Sequence, residues 1–148
     1  VPGALYGQRG KPHPLHPAVF GKVRSPGYEN KPPPMPITPA VAEFQAHSAP
    51  LGLHLYRGKA FPEAYRNGAF VARHGSWNRS TPVGYDILFV RFDDKGNPLQ
   101  QETFATGWLQ ENGAWGRPVD IKELPDGSLL VSDDFAGAIY RITYTGRK

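Results

Sequence analysis

The sequence predicts an all-β fold, and three observations support this prediction. Apolar runs of strand length recur along the chain, and several alternate apolar with polar residues. Turn sequences such as RNG, DDKGNP and LPDGS separate these runs. Glycine and proline contribute 17 and 16 of the 148 residues. This high proportion favours short elements and many turns over long helices.

Residues 1–40 are predicted to form a basic, proline-rich arm or long connection. Ten of the 16 prolines lie there, including the run KPPPMP, and proline removes amide donors and favours extended backbone. Five basic side chains and one acidic side chain in this arm account for the whole net charge of +4. The arm is either an extended surface connection or a proline motif that docks on a partner domain.

Residues 41–148 carry the predicted strands in chain order. A single helical turn is expected at Pro62–Arg66. The strand-like runs are Leu51–Tyr56, Gly68–Arg73, Tyr85–Phe92, Gln101–Thr106, Pro118–Leu124, Ser128–Asp133 and Ala138–Tyr144.

Two of these segments resemble each other. NGAFVARH…VGYDILFVRF begins at Asn67, and DGSLLVSDD…AGAIYRITY begins at Asp126, with Gly68 and Gly127 as matching anchors. A strand–turn–strand unit that recurs at roughly 40–60 residues is typical of a β-propeller blade. Two unrelated hairpins of a β-sandwich would give the same pattern, and both interpretations remain open at this point.

As a propeller, the chain would be incomplete. It supplies strands for about two blades, whereas a closed propeller needs at least four. Two open blades would leave unpaired strand edges and an apolar face. The remaining blades are therefore expected in the same polypeptide or in another chain.

Composition argues against several other classes. The basic residues in excess lie in the proline-rich arm and not on a stripe interleaved with aromatics, so nucleic-acid binding is not expected. The sequence has no cysteine, which removes disulfides and thiolate-ligated metals. No apolar run approaches the roughly 20 residues of a membrane span. Val1 is not an initiator methionine, which favours a processed or excerpted chain.

Four stretches carry a family resemblance over about residues 40–145. They are HSAPLGLHLY, YRNGAFVARHGSWNRSTPVGYDI, GRPVDI and DGSLLVSDDFAGAIYRITY. In this order they resemble the C-terminal blades of soluble pyrroloquinoline-quinone-dependent sugar dehydrogenases, and in particular the L-sorbosone dehydrogenase branch. The stretch YGQRGKPHP departs from the aromatic sequence that this family tends to have there.

The resemblance implies a six-bladed propeller that binds pyrroloquinoline quinone, with calcium in the complete protein. It implies oxidation of an aldose or sorbosone-like substrate by hydride transfer to the quinone, and a periplasmic or secreted location. The family's catalytic histidine, an Arg-Asn pair and the calcium-binding backbone would lie upstream, so no catalytic residue is assigned to this chain.

Two arginines are the first cofactor-site candidates that the resemblance implies. Arg79 matches a cationic position over the quinone, and Arg117 matches an arginine that reaches a cofactor carboxylate. Fixed cations and planar donors suit a planar tricarboxylate. The structural alternatives are a solvated turn arginine for Arg79 and a strand-start pair with Asp120 for Arg117.

His47, His74 and Asn78 complete the candidate set. His47 would face the cofactor, while His74 and Asn78 flank the HGSWNR turn, where His74 could instead cap a strand end. Trp77 is expected to cover a blade edge more than to stack on a ligand.

Three further polar residues are expected to be structural. His54 alternates within a predicted strand. Asp133 and Asp134 are interpreted as turn formers, because adjacent strand residues point to opposite faces and do not readily share an ion. No metal site is predicted in the chain.

Two functions remain open from the sequence. The first is part of a quinoprotein dehydrogenase, which the arginines of HGSWNR and GRPVD favour. The second is a non-catalytic, propeller-derived module that docks on a partner through the arm, which the short length and the altered YGQRG stretch favour.

Overall fold

A computed structural model describes Asn30 and residues 40–146, and in this part of the chain the fold is all-β. The predicted arm, apart from Asn30 and Ala40, lies outside the described residues. A 3-10 turn spans Glu63–Tyr65, inside the helical turn that the sequence predicts. The strands are β1 (Pro50–Tyr56), β2 (Gly68–Arg73), β3 (Asp86–Phe92), β4 (Pro98–Ala105), β5 (Leu109–Gln110), β6 (Gly113–Ala114), β7 (Pro118–Glu123), β8 (Leu129–Asp133) and β9 (Ala138–Ile142).

The strands form three antiparallel sheets in which neighbours follow chain order. The first sheet has the order β1-β2-β3-β4, and the second sheet has the order β7-β8-β9. The short strands β5 and β6, which lie between these sheets in the sequence, pair with each other. All seven predicted strand runs are present. The sequence does not predict β5 and β6, because each has only two residues and no alternation can be recognised in such a short segment.

The core lies between the first and second sheets. Both faces of β2 and β3 are buried, as expected for strands covered on two sides. On the face towards the second sheet, Phe70 and Phe89 lie 4.9 Å apart between ring centroids. They join one buried cluster with Leu129 and Val131 of β8. Burial of each such side chain contributes about 1.5–3 kcal/mol, so this cluster holds the two sheets together.

The first strands of the two sheets lie side by side. A Cβ at Gly52 of β1 would lie 2.6 Å from both the Asp120 Cα and the Val119 carbonyl oxygen of β7. No larger residue fits without moving one strand, so Gly52 sets the close approach of β1 and β7.

The repeat is real in the structure, but its expected anchors are wrong by one residue. Gly127, before β8, has a φ of 80°, and the residue with this backbone before β2 is Asn67, with a φ of 55°. Gly68 is required by packing and not by its backbone conformation. A Cβ at this position would lie 2.6 Å from the Val90 carbonyl oxygen and against the Phe89 ring. Asn67 therefore corresponds to Gly127.

Matching Asn67 with Gly127 changes which face of the first sheet corresponds to which face of the second sheet. Because side chains alternate along a strand, a shift of one residue exchanges the two faces of a sheet. With Asn67 matched to Gly127, Val71 of β2 corresponds to Val131 of β8. Val131 faces the first sheet, whereas Val71 lies in a second cluster on the opposite side of the first sheet. The two sheets therefore stack in the same orientation, so that one face of the first sheet packs against the opposite face of the second sheet.

Candidate functional site at one end of the two sheets

Loops from both sheets meet at one end of the molecule. β2 and β8 end there, and β1, β3, β7 and β9 begin there, as their antiparallel order requires. We call the residues of these loops, 46–49, 74–85, 115–117 and 133–137, the strand-end surface. All five residues of the predicted cofactor site belong to it.

Arg117 joins the second sheet to the loop after β2. Its Nε donates to the His74 carbonyl oxygen at 3.0 Å. Its Nη2 donates to the carbonyl oxygens of Gly75 at 2.6 Å and Ser76 at 3.3 Å. The guanidinium carbon also lies 5.3 Å from the centre of the Tyr85 ring, within cation–π range. One side chain therefore fixes three successive carbonyls of the loop.

The alternative that Arg117 pairs with Asp120 is wrong. The guanidinium is turned to the loop carbonyls because the planar fork of arginine matches several acceptors at once. Asp120 instead accepts the backbone amide of Ile121 at 2.8 Å.

Asp133 organises the second sheet's contribution to the surface. It is buried, and its Oδ1 accepts the backbone amides of Arg117 at 2.9 Å and Ala136 at 2.8 Å. Its Oδ2 accepts the Tyr140 hydroxyl at 3.0 Å. Burial and this hydrogen bond raise the pKa of Tyr140. The turn-forming role predicted for Asp133 is confirmed, and the same carboxylate also positions the backbone of Arg117.

His74 is held by groups from both sheets. Its Nε2 lies 2.8 Å from Asp134 Oδ1, and its backbone amide donates to the Ala49 carbonyl at 2.9 Å. The hydrogen bond from His74 lowers the pKa of the Asp134 carboxyl. Because a carboxylate only accepts, Nε2 carries the hydrogen that points to Asp134. Asp134 thus fixes the orientation of the imidazole ring.

His47 lies beside the same loop. Ser48 is fully buried, and its carbonyl accepts the Gly75 amide at 2.9 Å. His47 and Ala49 have φ angles of 69° and 48°, a left-handed backbone that non-glycine residues adopt rarely and at a cost. The chain therefore turns sharply around Ser48, whose backbone lies against the loop that carries His74.

Trp77, Asn78 and Arg79 form the outer part of the surface, and all three are exposed. Arg79 Nε donates to the Thr81 carbonyl at 3.0 Å, and its Nη1 lies 3.4 Å from the Ala46 carbonyl. Trp77 is 72% exposed, so the expectation that it covers a strand edge is not met within the described residues. These side chains are available to a ligand.

The base of the loop is held by an ion pair, a hydrogen bond and a close ring contact. Arg73 and Asp86, directly opposite each other on β2 and β3, form a two-point ion pair of 2.6 and 2.5 Å. The Tyr85 hydroxyl donates to the Ser76 carbonyl. Gly75 has a φ of 94°, and a Cβ there would lie 2.5 Å from the Tyr85 ring. These contacts hold the candidate residues on a fixed support.

The sequence missed this supporting layer. Tyr85 and the Arg73–Asp86 pair look like ordinary strand-end residues, and only the pairing register brings them under the HGSWNR turn. What the surface offers chemically is a set of donors: two guanidinium groups, an amide and two imidazoles. The predicted strand residue His54 lies elsewhere, 3.1 Å from Glu123 Oε2.

Residues 40–146 contain no group of three or more His, Asp or Glu side chains arranged to hold a metal ion. The same part of the chain contains no helix with the length and apolarity of a membrane span.

Comparison with known proteins places these features in a family. The chain is 32% identical to a pyrroloquinoline quinone-dependent pyranose dehydrogenase of Coprinopsis cinerea over 115 residues, which are 65% of the chain and 15% of that protein. It is 46% identical over 138 residues, 90% of the chain, to an uncharacterised protein of Borreliella burgdorferi and covers 36% of it.

Solved structures give the same relation. A calcium structure of a Trichoderma reesei carbohydrate-active enzyme of family AA12 matches with a TM-score of 0.55 at 27% identity, over 66% of the chain and 24% of that structure. The holo form of the pyranose dehydrogenase PQQ domain from Coprinopsis cinerea matches with a TM-score of 0.52 at 28% identity, over 67% of the chain and 27% of that domain.

The chain thus spans about a third or less of the length of these relatives, and its relation to the quinone-dependent AA12 dehydrogenases is distant. The family model described as TrAA12-like matches residues 35–145, about three quarters of the sequence. The chain belongs to the TrAA12-like family.

Proposed function

We propose that the chain is part of a quinoprotein sugar or aldehyde dehydrogenase, to which it contributes cofactor-binding side chains from the strand-end surface. The observation that carries the proposal is the loop after β2. This loop holds His74, Asn78 and Arg79, lies against the segment of His47, and receives the guanidinium of Arg117 from the second sheet. All five predicted cofactor-site residues therefore converge on one surface.

The chemistry of this donor set fits pyrroloquinoline quinone, a planar group with three carboxylates. Arg79 is an exposed cation, and Asn78 is an exposed amide beside it. The neighbouring carboxylates of Asp86 and Asp133 are already engaged by protein donors. Asp134, whose side chain is 63% exposed, is paired with His74. Donors and positive charge therefore outnumber the carboxylates on this surface, which favours recognition of an anion.

Each residue has a distinct task in this proposal. Arg79 supplies the cationic group over the quinone, and Asn78 donates its amide to a ligand oxygen. His74, oriented by Asp134, presents its imidazole at the same loop. Arg117 mainly positions the loop, and its Nη1, which makes no hydrogen bond to residues 40–146, remains for a carboxylate. When bound, the quinone supplies the two-electron acceptor for hydride from the substrate.

The finer features are proposals of the same kind. We propose about two blades of a six-bladed propeller, completed by blades elsewhere in the same or another chain. The general base and the calcium ligands would lie outside residues 40–146. The substrate would be an aldose or a sorbosone-like aldehyde, and the complete protein would be periplasmic or secreted.

A reconstitution assay tests the function. The protein expressed from its complete coding sequence is incubated with pyrroloquinoline quinone and calcium, and dye reduction is followed with a panel of aldopyranoses and with sorbosone. We expect dye reduction that needs both quinone and sugar. Absence of quinone-dependent dye reduction across the panel would overturn the proposal and favour the non-catalytic docking module.

A further inference from the structure

Two contacts of the second sheet with the loop after β2 start beside one buried side chain, that of Asp133. Arg117, whose guanidinium binds the loop carbonyls, donates its backbone amide to Asp133 Oδ1 at 2.9 Å. Asp134, which lies 2.8 Å from His74 Nε2, is the next residue along the chain. The position of the Asp133 carboxylate therefore affects both contacts.

One oxygen of the Asp133 carboxylate fixes backbone on two segments. Oδ1 accepts the amides of Arg117 at 2.9 Å, Phe135 at 3.1 Å and Ala136 at 2.8 Å. The last two amides belong to the turn between β8 and β9, which also carries Asp134. Because three amides converge on one oxygen, a different rotamer of Asp133 would release all of them.

The other oxygen of Asp133 is held by Tyr140 of β9. The Tyr140 hydroxyl donates to Oδ2 at 3.0 Å, and within residues 40–146 it is the only donor to this oxygen. A Cβ at Gly116 would clash with Oδ2, so the glycine backbone closes this side of the carboxylate. A buried carboxylate oxygen without a donor is unfavourable. Loss of the Tyr140 hydroxyl would therefore favour another position of Asp133.

Two tryptophan rings hold the Tyr140 ring in place. The ring centre of buried Trp108 lies 5.7 Å from that of Tyr140, at an interplanar angle of 64°. Trp115 lies 6.1 Å away at 88°, and its Nε1 donates to the Gly107 carbonyl at 2.6 Å. Such edge-to-face contacts add to the energy of burial. Ring packing thus directs the phenol to Asp133 without help from the hydrogen bond.

We infer that Tyr140 is a positioning residue of the strand-end surface. Its hydroxyl holds Asp133, which in turn holds the backbone of Arg117 and the turn that carries Asp134. Arg117 and Asp134 then contact the loop after β2. Tyr140 acts from β9, outside the strand-end surface, and touches none of the five candidate cofactor residues through its hydroxyl. Its effect on quinone binding rests on the proposed function, whereas its effect on the backbone does not.

Removal of one oxygen atom tests the inference. Tyr140→Phe keeps the ring contacts with both tryptophans, and the control Tyr144→Phe removes the hydroxyl of a tyrosine that is 52% exposed. Both variants are made in the protein expressed from its complete coding sequence, and amide hydrogen exchange is followed by NMR. We expect the three amides bound by Asp133 to exchange about fivefold faster in Tyr140→Phe, the factor for loss of one hydrogen bond. Tyr144→Phe should leave their exchange unchanged.

The Leu124 amide is the internal reference. It donates to the Ser128 carbonyl at 2.8 Å, in the turn at the opposite end of the second sheet, and should exchange at the same rate in the unmodified protein and both variants. Unchanged exchange of the three amides in Tyr140→Phe would overturn the inference, since Asp133 would then be held without the hydroxyl. Equal acceleration at Leu124 would also overturn it, since the hydroxyl would then stabilise the sheet as a whole.

A titration of the unmodified protein decides the question if Tyr140→Phe does not fold. Burial and the hydrogen bond to Asp133 raise the pKa of Tyr140 above its ordinary value of 10.0. The carboxyl carbon signal of Asp133 should then follow the ionisation of Tyr140, because the lost proton is the one that holds Oδ2. An Asp133 signal that does not respond would overturn the inference.

Quinone affinity gives a separate readout at the candidate site. We expect Tyr140→Phe to weaken binding of pyrroloquinoline quinone by about threefold or more, a part of the effect of one direct contact, and Tyr144→Phe to leave it unchanged. Equal affinity of Tyr140→Phe and the unmodified protein would overturn the role of Tyr140 at the cofactor site. Absence of binding by the unmodified protein would count against the proposed function alone, and amide exchange would still decide whether Tyr140 positions the surface.

Discussion

Arg117 Nε and the main-chain carbonyl of His74 lie 3.0 Å apart and join the start of β7 to the loop after β2. This hydrogen bond connects the two sheets at the strand-end surface. The same side chain also binds the Gly75 carbonyl at 2.6 Å. The loop that carries the candidate cofactor residues is thus tied to the second sheet by this guanidinium, in addition to the contact between His74 and Asp134.

Replacement of Arg117 should destabilise the protein. Arg117→Ala leaves the His74 and Gly75 carbonyls without their donor, while the Ser76 carbonyl keeps the Tyr85 hydroxyl, and we expect a loss of about 2–3 kcal/mol in the free energy of unfolding. Arg117→Lys should recover only part of this, because an ammonium cannot reproduce the planar fork. Urea denaturation measures both. The control Arg79→Ala removes an exposed side chain and should change stability by less than about 0.5 kcal/mol. Equal stability of Arg117→Ala and Arg79→Ala would contradict the bridging role.

Arg73 and Asp86 should behave as a coupled pair. Both side chains are largely buried, 13% and 11% exposed, and removal of one leaves the other charge without a partner. We expect Arg73→Met alone to cost about 3–5 kcal/mol, and the double variant Arg73→Met, Asp86→Leu to cost clearly less. A double-mutant cycle in urea gives the coupling energy. Additive single effects would show that the ion pair contributes nothing specific.

Glycine is required at position 75 both by its left-handed backbone and by the close Tyr85 ring. A comparison with Gly96 separates these two effects. Gly75 and Gly96 have similar φ angles of 94° and 82°, but a Cβ would meet the Tyr85 ring only at Gly75, and open space at Gly96. Gly96→Ala should therefore cost only the backbone term of about 1–2 kcal/mol. Gly75→Ala should cost clearly more and should shift the NMR signals of Tyr85. Equal losses for the two variants would show that the loop yields to the added methyl.

The sequence predicts the strands of this fold better than it predicts how the two repeated segments correspond. The seven longer strands follow from alternation and turn residues, and the boundaries of Gly68–Arg73 agree with β2 residue for residue. The anchor of the repeat was wrong because Gly68 and Gly127 look alike in the sequence. Gly68 is required because a Cβ there would clash with the Phe89 ring. Gly127 is required because its backbone is left-handed.

The candidate site was predictable in part. The motif resemblance names five candidate residues and the structure brings them to one surface, while their binding to a cofactor stays a prediction. The contacts of Arg117 with three carbonyls could not be predicted, since they depend on how the two sheets are stacked.

The Asp126 carboxyl should titrate unusually low. Hydrogen bonds from the Ser128 hydroxyl and amide, assisted by Arg141, lower its pKa from 3.8 to about 2. Since the folded pKa lies below the unfolded one, this interaction stabilises the protein above about pH 4 and is lost as the pH falls towards 2. Carboxyl NMR titration should show the low value and its increase in Ser128→Ala. The pKa of Asp93, lowered by Asn97, should not change, and an unchanged Asp126 pKa in that variant would contradict the assignment.

Binding of the quinone is the most direct test of the account. Pyrroloquinoline quinone is titrated calorimetrically, with calcium present, into the protein expressed from its complete coding sequence and into two variants. Arg79→Ala removes the exposed cation of the strand-end surface. Arg91→Ala removes an exposed arginine at the opposite end of β3, beside Gly68. We expect Arg79→Ala to weaken binding by about tenfold or more, the scale of one charge-assisted contact, and Arg91→Ala to leave it unchanged. Equal affinity of the Arg79→Ala variant and the unmodified protein, or no binding by the unmodified protein, would contradict the placement of the cofactor at this surface.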